Sequence, residues 1–270
     1  MLNFKTNIIN VFLLVFLFGS MLPFFLEKPS NTNLSIKNEV YNSELSGINT
    51  LERAVFFIDE MYDSKYHDKF DTVLYVNVVS DFVKQRFYHG LAEYSINDNW
   101  IAALMGNLIW SHFSAIVDPN DILNHSEALC SQQAIVFMEI LTIKGIENRS
   151  VGIGSKEGKG HFMTEVFYNN SWHLYDVNKE PRWDNIVLAH QSMSFYNNNK
   201  DSLYKIYQGK LTPSQVNQLT EKLQYGKPNE FSAKKMLLFH LISKIITYFL
   251  PIFFTIMFII KLFKQFKKTQ

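Results

Sequence analysis

The chain has 270 residues, a formal net charge of +1, 47% hydrophobic residues and a single cysteine. A near-neutral balance with no dominant basic face speaks against a nucleic-acid partner. One cysteine excludes an intrachain disulfide, so its thiol is either a packed side chain or a reactive one.

In chain order, Ile8 to Leu26 is an uncharged apolar run about long enough to cross a bilayer as a helix, with Lys5 before it and Glu27-Lys28 after it. Residues 1–28 read as a transmembrane anchor, with a cleaved signal peptide as the rival. Residues 29–49, rich in Asn and Ser, read as a linker to a domain over 50–230. Thr50 is suited to cap a helix through Tyr62 and Asp71 one through Tyr88. A third helix is expected from Asp98 to Phe113, with Trp100, Leu104 and Leu108 as its core stripe. All three are expected to pack beside the helix that follows them.

From Glu127 to Lys144, Ala134, Phe137, Met138 and Leu141 recur at helical spacing, and Gly145 stops the run. Cys130 then lies in the first helical turn, where unpaired N–H groups and the helix dipole favour a thiolate. Glu147 to Gly154 reads as a strand, and Ser155 to Gly160 as a polar loop. His161 to Tyr168 and Ser171 to Val177 flank Asn169-Asn170, a pair suited to a two-residue hairpin turn. In that register Tyr168 faces Ser171, Met163 faces Asp176, and His161 lies diagonal to Asp176 on one face of the sheet. A slip of one residue would part them.

These residue types suit acyl transfer. His161 takes the proton of Cys130, Asp176 holds the imidazole in the useful tautomer, and the thiolate attacks a carbonyl to give a thioester. The Cys130 N–H is one oxyanion donor; Trp110, His125 and the Gln132-Gln133 pair are open candidates for a second. The eight histidines show no HExxH or other ligand spacing, so neither a metal nor a cofactor is expected.

Beyond Pro181, Trp183 to Tyr196 is expected to add a strand, Asn197 to Lys200 a turn, and Thr212-Pro213 to open a helix through Lys222 or Tyr225. Met236 to Leu262 is a second apolar span with Pro251 inside it, and residues 263–270 form a basic tail. Lys261, Lys264, Lys267 and Lys268 put that tail in the cytoplasm, and Lys5 puts the N-terminus on the same side. The expected topology is two-pass in a cell membrane, with the domain between the spans extracytoplasmic.

Cys130 opening a helix, Gly145-Ile146 followed by Arg149 on a strand, His161 opening a strand that carries Glu165, then Trp172 and Asp176, together resemble the transglutaminase-like superfamily of papain-related cysteine enzymes. The abundance of Asn, Lys, Ile and Phe suggests a bacterial member. The resemblance covers Ala128 to Val177 and implies an α+β fold, with N-terminal helices packed on an antiparallel sheet and here flanked by two transmembrane helices. It also implies a catalytic triad of Cys130, His161 and Asp176 in a cysteine protease, amidase or acyltransferase. Ala128 and Phe162-Met163 depart from the family's usual glycine before the cysteine and aromatic residue soon after the histidine. The expected partners are the bilayer and a protein or peptide substrate at the cell surface. A catalytically silent binding module of the same fold, serving a surface assembly, is the alternative.

Overall fold

Thr50 and Asp71 act as the caps their side chains suggest. Thr50 Oγ1 accepts the Arg53 N–H at 3.2 Å, and Asp71 Oδ1 accepts that of Leu74 at 2.9 Å. The computed structural model describes Val11, residues 14–25, 40–67, 69–154 and 160–179, Pro181 and residues 190–269, without the side chains of 23, 24, 265, 266, 268 and 269. The helices in chain order are α1 (Leu51–Lys65), α2 (Thr72–Arg86), α3 (Ile96–Leu108), α4 (Pro119–Ile122), α5 (Cys130–Ile143), α6 (Met193–Asn198), α7 (Lys200–Ile206), α8 (Pro213–Gln218) and α9 (Lys234–Thr269). The strands are β1 (Tyr88–His89), β2 (Glu127–Ala128), β3 (Asn148–Ile153), β4 (His161–Tyr168), β5 (Ser171–Tyr175) and β6 (Leu223–Tyr225).

The chain divides into two units. The sheet unit comprises Ser35–Ala92 and Val117–Ala233; the helical unit comprises Met1–Leu34, Glu93–Ile116 and Lys234–Gln270.

In the sheet unit, α5 is the central element. Ala134, Val136, Phe137, Ile140 and Leu141 are all buried, because α1 and α2 cover one side of the helix and β3 and β4 the other. The N-terminal helices therefore reach the sheet through α5. Gly145, with φ of 70°, ends α5: its N–H reaches Thr142 O at 3.0 Å and the Ile146 N–H reaches Leu141 O at 2.9 Å. That pair of bonds is a Schellman stop, which needs the left-handed backbone glycine supplies. Asn148 then ties β3 to the end of α5, donating from Nδ2 to Met138 O, Thr142 Oγ1 and Ile146 O.

The main sheet is antiparallel in the order β5-β4-β3-β6. Asn169 and Asn170 both take positive φ, 49° and 59°, as a two-residue primed turn requires, and Tyr168 pairs with Ser171. The expected register holds. Glu165 is fully buried, pairs with Arg149 at 2.7 Å and accepts the Met193 N–H on its other oxygen at 2.6 Å. The Arg149 guanidinium lies 4.1 Å from the Trp172 ring centre and 4.7 Å from that of Tyr225.

Several expectations fail. Glu127 and Ala128 are not helical: they pair in parallel with Tyr88 and His89, so α5 begins at Cys130 and α2 stops at Arg86. Among the described residues β6 forms one edge of the sheet; of the stretch Trp183 to Tyr196 expected to add a strand, Met193–Asn198 is a helix capped by Ser192 and residues 182–189 lie outside the described residues. Asn199 joins α6 to α7 where a turn was expected through Lys200. The helix opened by Thr212-Pro213 has its capping box with Gln215 but ends at Gln218. The expected loop over Ser155 to Gly160 is described only at Gly160, where a Cβ would sit 2.9 Å from Ile153 O. A glycine is thus needed one residue before His161.

In the helical unit, α3 packs on α9, and Leu104 and Leu108, expected in a core stripe, are exposed. Among the described residues one helix, not two, is long and apolar enough to cross a membrane: Lys234–Lys264 within α9, of which only 11% of the apolar window is buried. That exposure is unlike the core helix of a water-soluble protein. The expected N-terminal span is described only in part. Residues 14–21 are helical, Leu22–Phe25 turns as a 3₁₀ helix, and Phe16 stacks on Phe254 at 5.5 Å.

Candidate active site

Cys130 is the first helical residue of α5, so its N–H has no intrahelical acceptor and its sulfur sits at the positive end of the dipole. The segment leading into it is held from two sides. Arg86, almost fully buried, donates to the carbonyls of Ile48, Ser46, His125 and Leu123. Tyr88 OH donates to Glu127 Oε2 at 2.6 Å, in the same place where β1 pairs with β2. Gln132 fixes the helix entrance: its Oε1 accepts the N–H groups of Leu129 and Ala92, and its Nε2 donates to Ala92 O at 2.6 Å.

The hairpin register carries the other two residues to the same place. His161 opens β4 and Asp176 follows the last residue of β5. His161 Nε2 donates to Asp176 Oδ2 at 2.7 Å, and the His161 side chain is also hydrogen-bonded to Cys130. All three predicted side chains are therefore joined in one chain of contacts, with the imidazole in the middle. Cys130 keeps partial exposure while the Asp176 side chain is sealed.

Burial acts against charge on every member, and neighbours reverse it on every member. Burial pushes the Cys130 thiol up, but the hydrogen bond and charge of His161, with the Phe162 N–H, bring it below the ordinary thiol value. Burial pushes His161 down, whereas the charge and hydrogen bond of Asp176, then those of Cys130, raise it well above the usual imidazole range. Burial raises Asp176, yet His161, Tyr207 and the Lys179 N–H hold it below the ordinary carboxylate value. Each shift is toward the charged form of its group: thiolate, imidazolium and carboxylate.

Tyr207, at the end of α7, is a residue the sequence reading missed. Its hydroxyl donates to Asp176 Oδ2 at 2.6 Å, and Asp176 Oδ1 accepts the N–H groups of Asn178 at 3.3 Å and Lys179 at 3.0 Å. Tyr207 is fully buried among Val151, Met163, Leu174, Tyr196 and Leu203. Thirty-one positions separate it from Asp176, and no spacing rule connects them.

Of the open candidates for a second oxyanion donor, Gln132 and Gln133 each use one amide N–H on a backbone carbonyl, those of Ala92 and Ala128, which leaves each a second N–H. Among the described residues no group of three or more His, Cys, Asp or Glu is arranged to hold a metal ion.

No family model and no curated protein matches this chain. A solved structure described as "Crystal structure of a TGase" matches it with a TM-score of 0.31 and 14% identity, over 55% of this chain. The match spans about a third, 34%, of that structure's chain. Likeness at that level carries no argument, and the functional reading rests on the geometry of the site.

Proposed function

We propose that the chain is a membrane-anchored, transglutaminase-like cysteine enzyme that acts on peptide or amide bonds through a Cys130 thioester. The observation that carries this reading is the central position of His161, bonded on one side to Cys130, the first residue of a buried helix, and on the other to Asp176 at 2.7 Å. The Cys130 thiolate attacks the carbonyl carbon, and the Cys130 N–H, as first residue of α5, faces the developing oxyanion. As the tetrahedral intermediate collapses, the C–N bond breaks and the His161 proton passes to the leaving amine. Water or a second amine, deprotonated by His161, then attacks the thioester and expels the thiolate. Hydrolysis and amide transfer share every step but the last acceptor.

The membrane part of the proposal rests on α9 and on the lysines around its end. Lys261, Lys264 and Lys267 follow the apolar window, so the C-terminus is cytoplasmic and the sheet unit acts at the extracytoplasmic face, on protein or peptide substrates near the bilayer.

The experiment is trapping of the acyl-enzyme. Full-length protein in detergent, given a glutamine-containing peptide library and a labelled primary amine, is expected to carry peptide mass on Cys130 minus ammonia or amine. The wild type should release acid or amine adduct, and Cys130→Ser should do neither. Wild-type protein whose Cys130 never acylates, and whose thiol alkylates no faster than a free cysteine, would leave the fold serving as a binding module instead.

A further inference from the structure

The uncharged stretch between Asp98 and Asp118 contains no Asp, Glu, Lys or Arg, yet four of its large apolar side chains face outward: Leu104, Leu108, Ile109 and Trp110, each 40% exposed or more. We propose that the Glu93–Ile116 segment is a membrane element in its own right, seated in the lipid interface beside α9 with this face among the acyl chains, without crossing the bilayer. The inference rests on the reading of α9 as a spanning helix.

Its ends are clasped. Glu93 pairs with Ala115 in an antiparallel bridge, and the Tyr94 N–H donates to Ser114 O at 2.9 Å. Because that bridge holds its two ends side by side, the excursion enters and leaves any surface at one level. α3 is kinked at Asn99, and even its full 13 residues would reach at most about 20 Å at 1.5 Å per residue, against roughly 30 Å of hydrocarbon. A closed excursion of that length can lie in a bilayer but cannot traverse it.

The inner face of α3 has the composition of a helix contact in lipid, small residues with satisfied polar groups between them. Asn99, fully buried, donates to Ser243 Oγ at 2.8 Å and accepts from Thr247 Oγ1 at 3.4 Å. Ala102 and Ala103 are buried beside it. Tyr248 OH donates to Asp98 O at 3.2 Å, and His240 Nε2 meets Phe113 O at 2.9 Å. Every one of those partners lies on α9, inside the span Lys234–Lys264.

Lipid is the occupant that fits the outer face. That face is continuous with α9, whose own Leu241, Ile245, Phe249 and Ile252 are each more than half exposed. The amphipathic rings gather where headgroups begin: Tyr94 is edge-on to His240 at 4.8 Å and lies under the Lys244 ammonium at 5.1 Å, and Trp110 stacks on His112 at 4.3 Å. A protein partner would need a charged or hydrogen-bonding rim on this face to fix its register, and Leu104 to Trp110 offers no charge and only the Asn107 amide and the Trp110 indole N–H.

The test places nitroxide labels on full-length Cys130→Ser protein in vesicles of phosphatidylethanolamine and phosphatidylglycerol. One label goes at Leu108→Cys, one at Phe253→Cys in α9, and one at the exposed Glu52→Cys of the sheet unit. Collision with oxygen against a water-soluble nickel chelate reports depth. The Leu108 label is expected to favour oxygen at least severalfold over the Glu52 label, at a shallower depth than Phe253. A Leu108 label as open to nickel as Glu52 overturns the proposal, and one shielded from both reagents overturns it in favour of a protein cover. Nickel access at Phe253 as well would overturn the spanning reading of α9 along with it. A parallel label at Ile109→Cys guards against a local effect at one position.

Discussion

The Tyr207 hydroxyl and the His161 ring nitrogen converge on a single carboxylate oxygen, Asp176 Oδ2, at 2.6 Å and 2.7 Å. Burial and the charge of Asp176 keep the Tyr207 phenol far from ionising, so it is a fixed neutral donor. It takes up part of the acid's negative charge and thereby limits how strongly Asp176 holds the proton on His161. Tyr207→Phe keeps the ring and its packing and removes that one donor. A lost hydrogen bond to a charged group is expected to lower stability by about 1.5–3 kcal/mol. Because the acid then interacts more strongly with the imidazolium, the alkaline limb of Cys130 alkylation should move upward in pH. A pH profile identical to the wild type, with a lower melting temperature alone, would reduce Tyr207 to a packing residue.

Cys130 alkylation by iodoacetate, an anion, should follow a bell in pH. The acid limb reports thiolate formation, lowered by His161, and the alkaline limb reports loss of the proton from His161, which is pushed up to about 10 and whose positive charge draws the anion to the sulfur. In His161→Ala, burial is left as the dominant influence on the thiol, so its neutral-pH rate should fall by about tenfold or more. Mass spectrometry of the labelled peptide over time measures both. Equal rates in the two proteins would mean that the thiol is not activated.

Stability should depend on pH at both ends. His161 is raised from 6.5 to about 10, so its contribution is complete below pH 6.5 and is lost as pH climbs through about 10. Asp176 is depressed below 3.8, so its contribution is present above that value and is lost as pH falls through the folded-state value. His190 is lowered from 6.5 to about 4, chiefly by burial against Tyr175, whose ring centre lies 4.1 Å away. The unfolded chain takes up that proton first, so stability drains between pH 6.5 and about 4, by up to about 3 kcal/mol. His190→Asn tolerates the φ of 45° at this position and should flatten that part of the curve in urea melts taken across pH.

Arg149 and Glu165 form the buried ion pair of the sheet, and Glu165 also receives the Met193 N–H, which anchors α6. Arg149→Ala strands a buried carboxylate and removes the cation from between Trp172 and Tyr225. The expected loss is about 3–5 kcal/mol in urea unfolding. Arg149→Ala together with Glu165→Gln should recover part of it, since the amide oxygen can still accept from Met193 without a buried charge. No recovery would point to the ring contacts as the larger contribution.

Local chemistry made much of this protein legible from its residues. Thr50, Asp71 and Thr212 capped the helices they were expected to cap, because a side-chain oxygen beside orphan N–H groups acts within three residues. Asn169-Asn170 fixed a turn, the turn fixed a register, and the register put His161 and Asp176 within one hydrogen bond. What escaped the reading was non-local. The residue pairs β1 with β2 and β3 with β6 join stretches tens of positions apart, and both strands on the missed edges are two or three residues long, too short for an alternating pattern to show.

The stripe on α3 shows the same boundary. Trp100, Leu104 and Leu108 announce an apolar helix, and periodicity says only that one side of it avoids water. Whether that side meets a core, a partner or lipid depends on which surface α9 occupies, and α9 takes the face with Asn99, Ala102 and Ala103. The sequence by itself therefore determined the helix caps at Thr50, Asp71 and Thr212, the hairpin turn and the diagonal that pairs His161 with Asp176, since each is set by neighbours along the chain. The tertiary structure alone decided that Cys130 meets the imidazole, that Tyr207 seals the acid, and that α3 turns its large side chains outward, because those depend on packing between segments that the chain brings together only when folded.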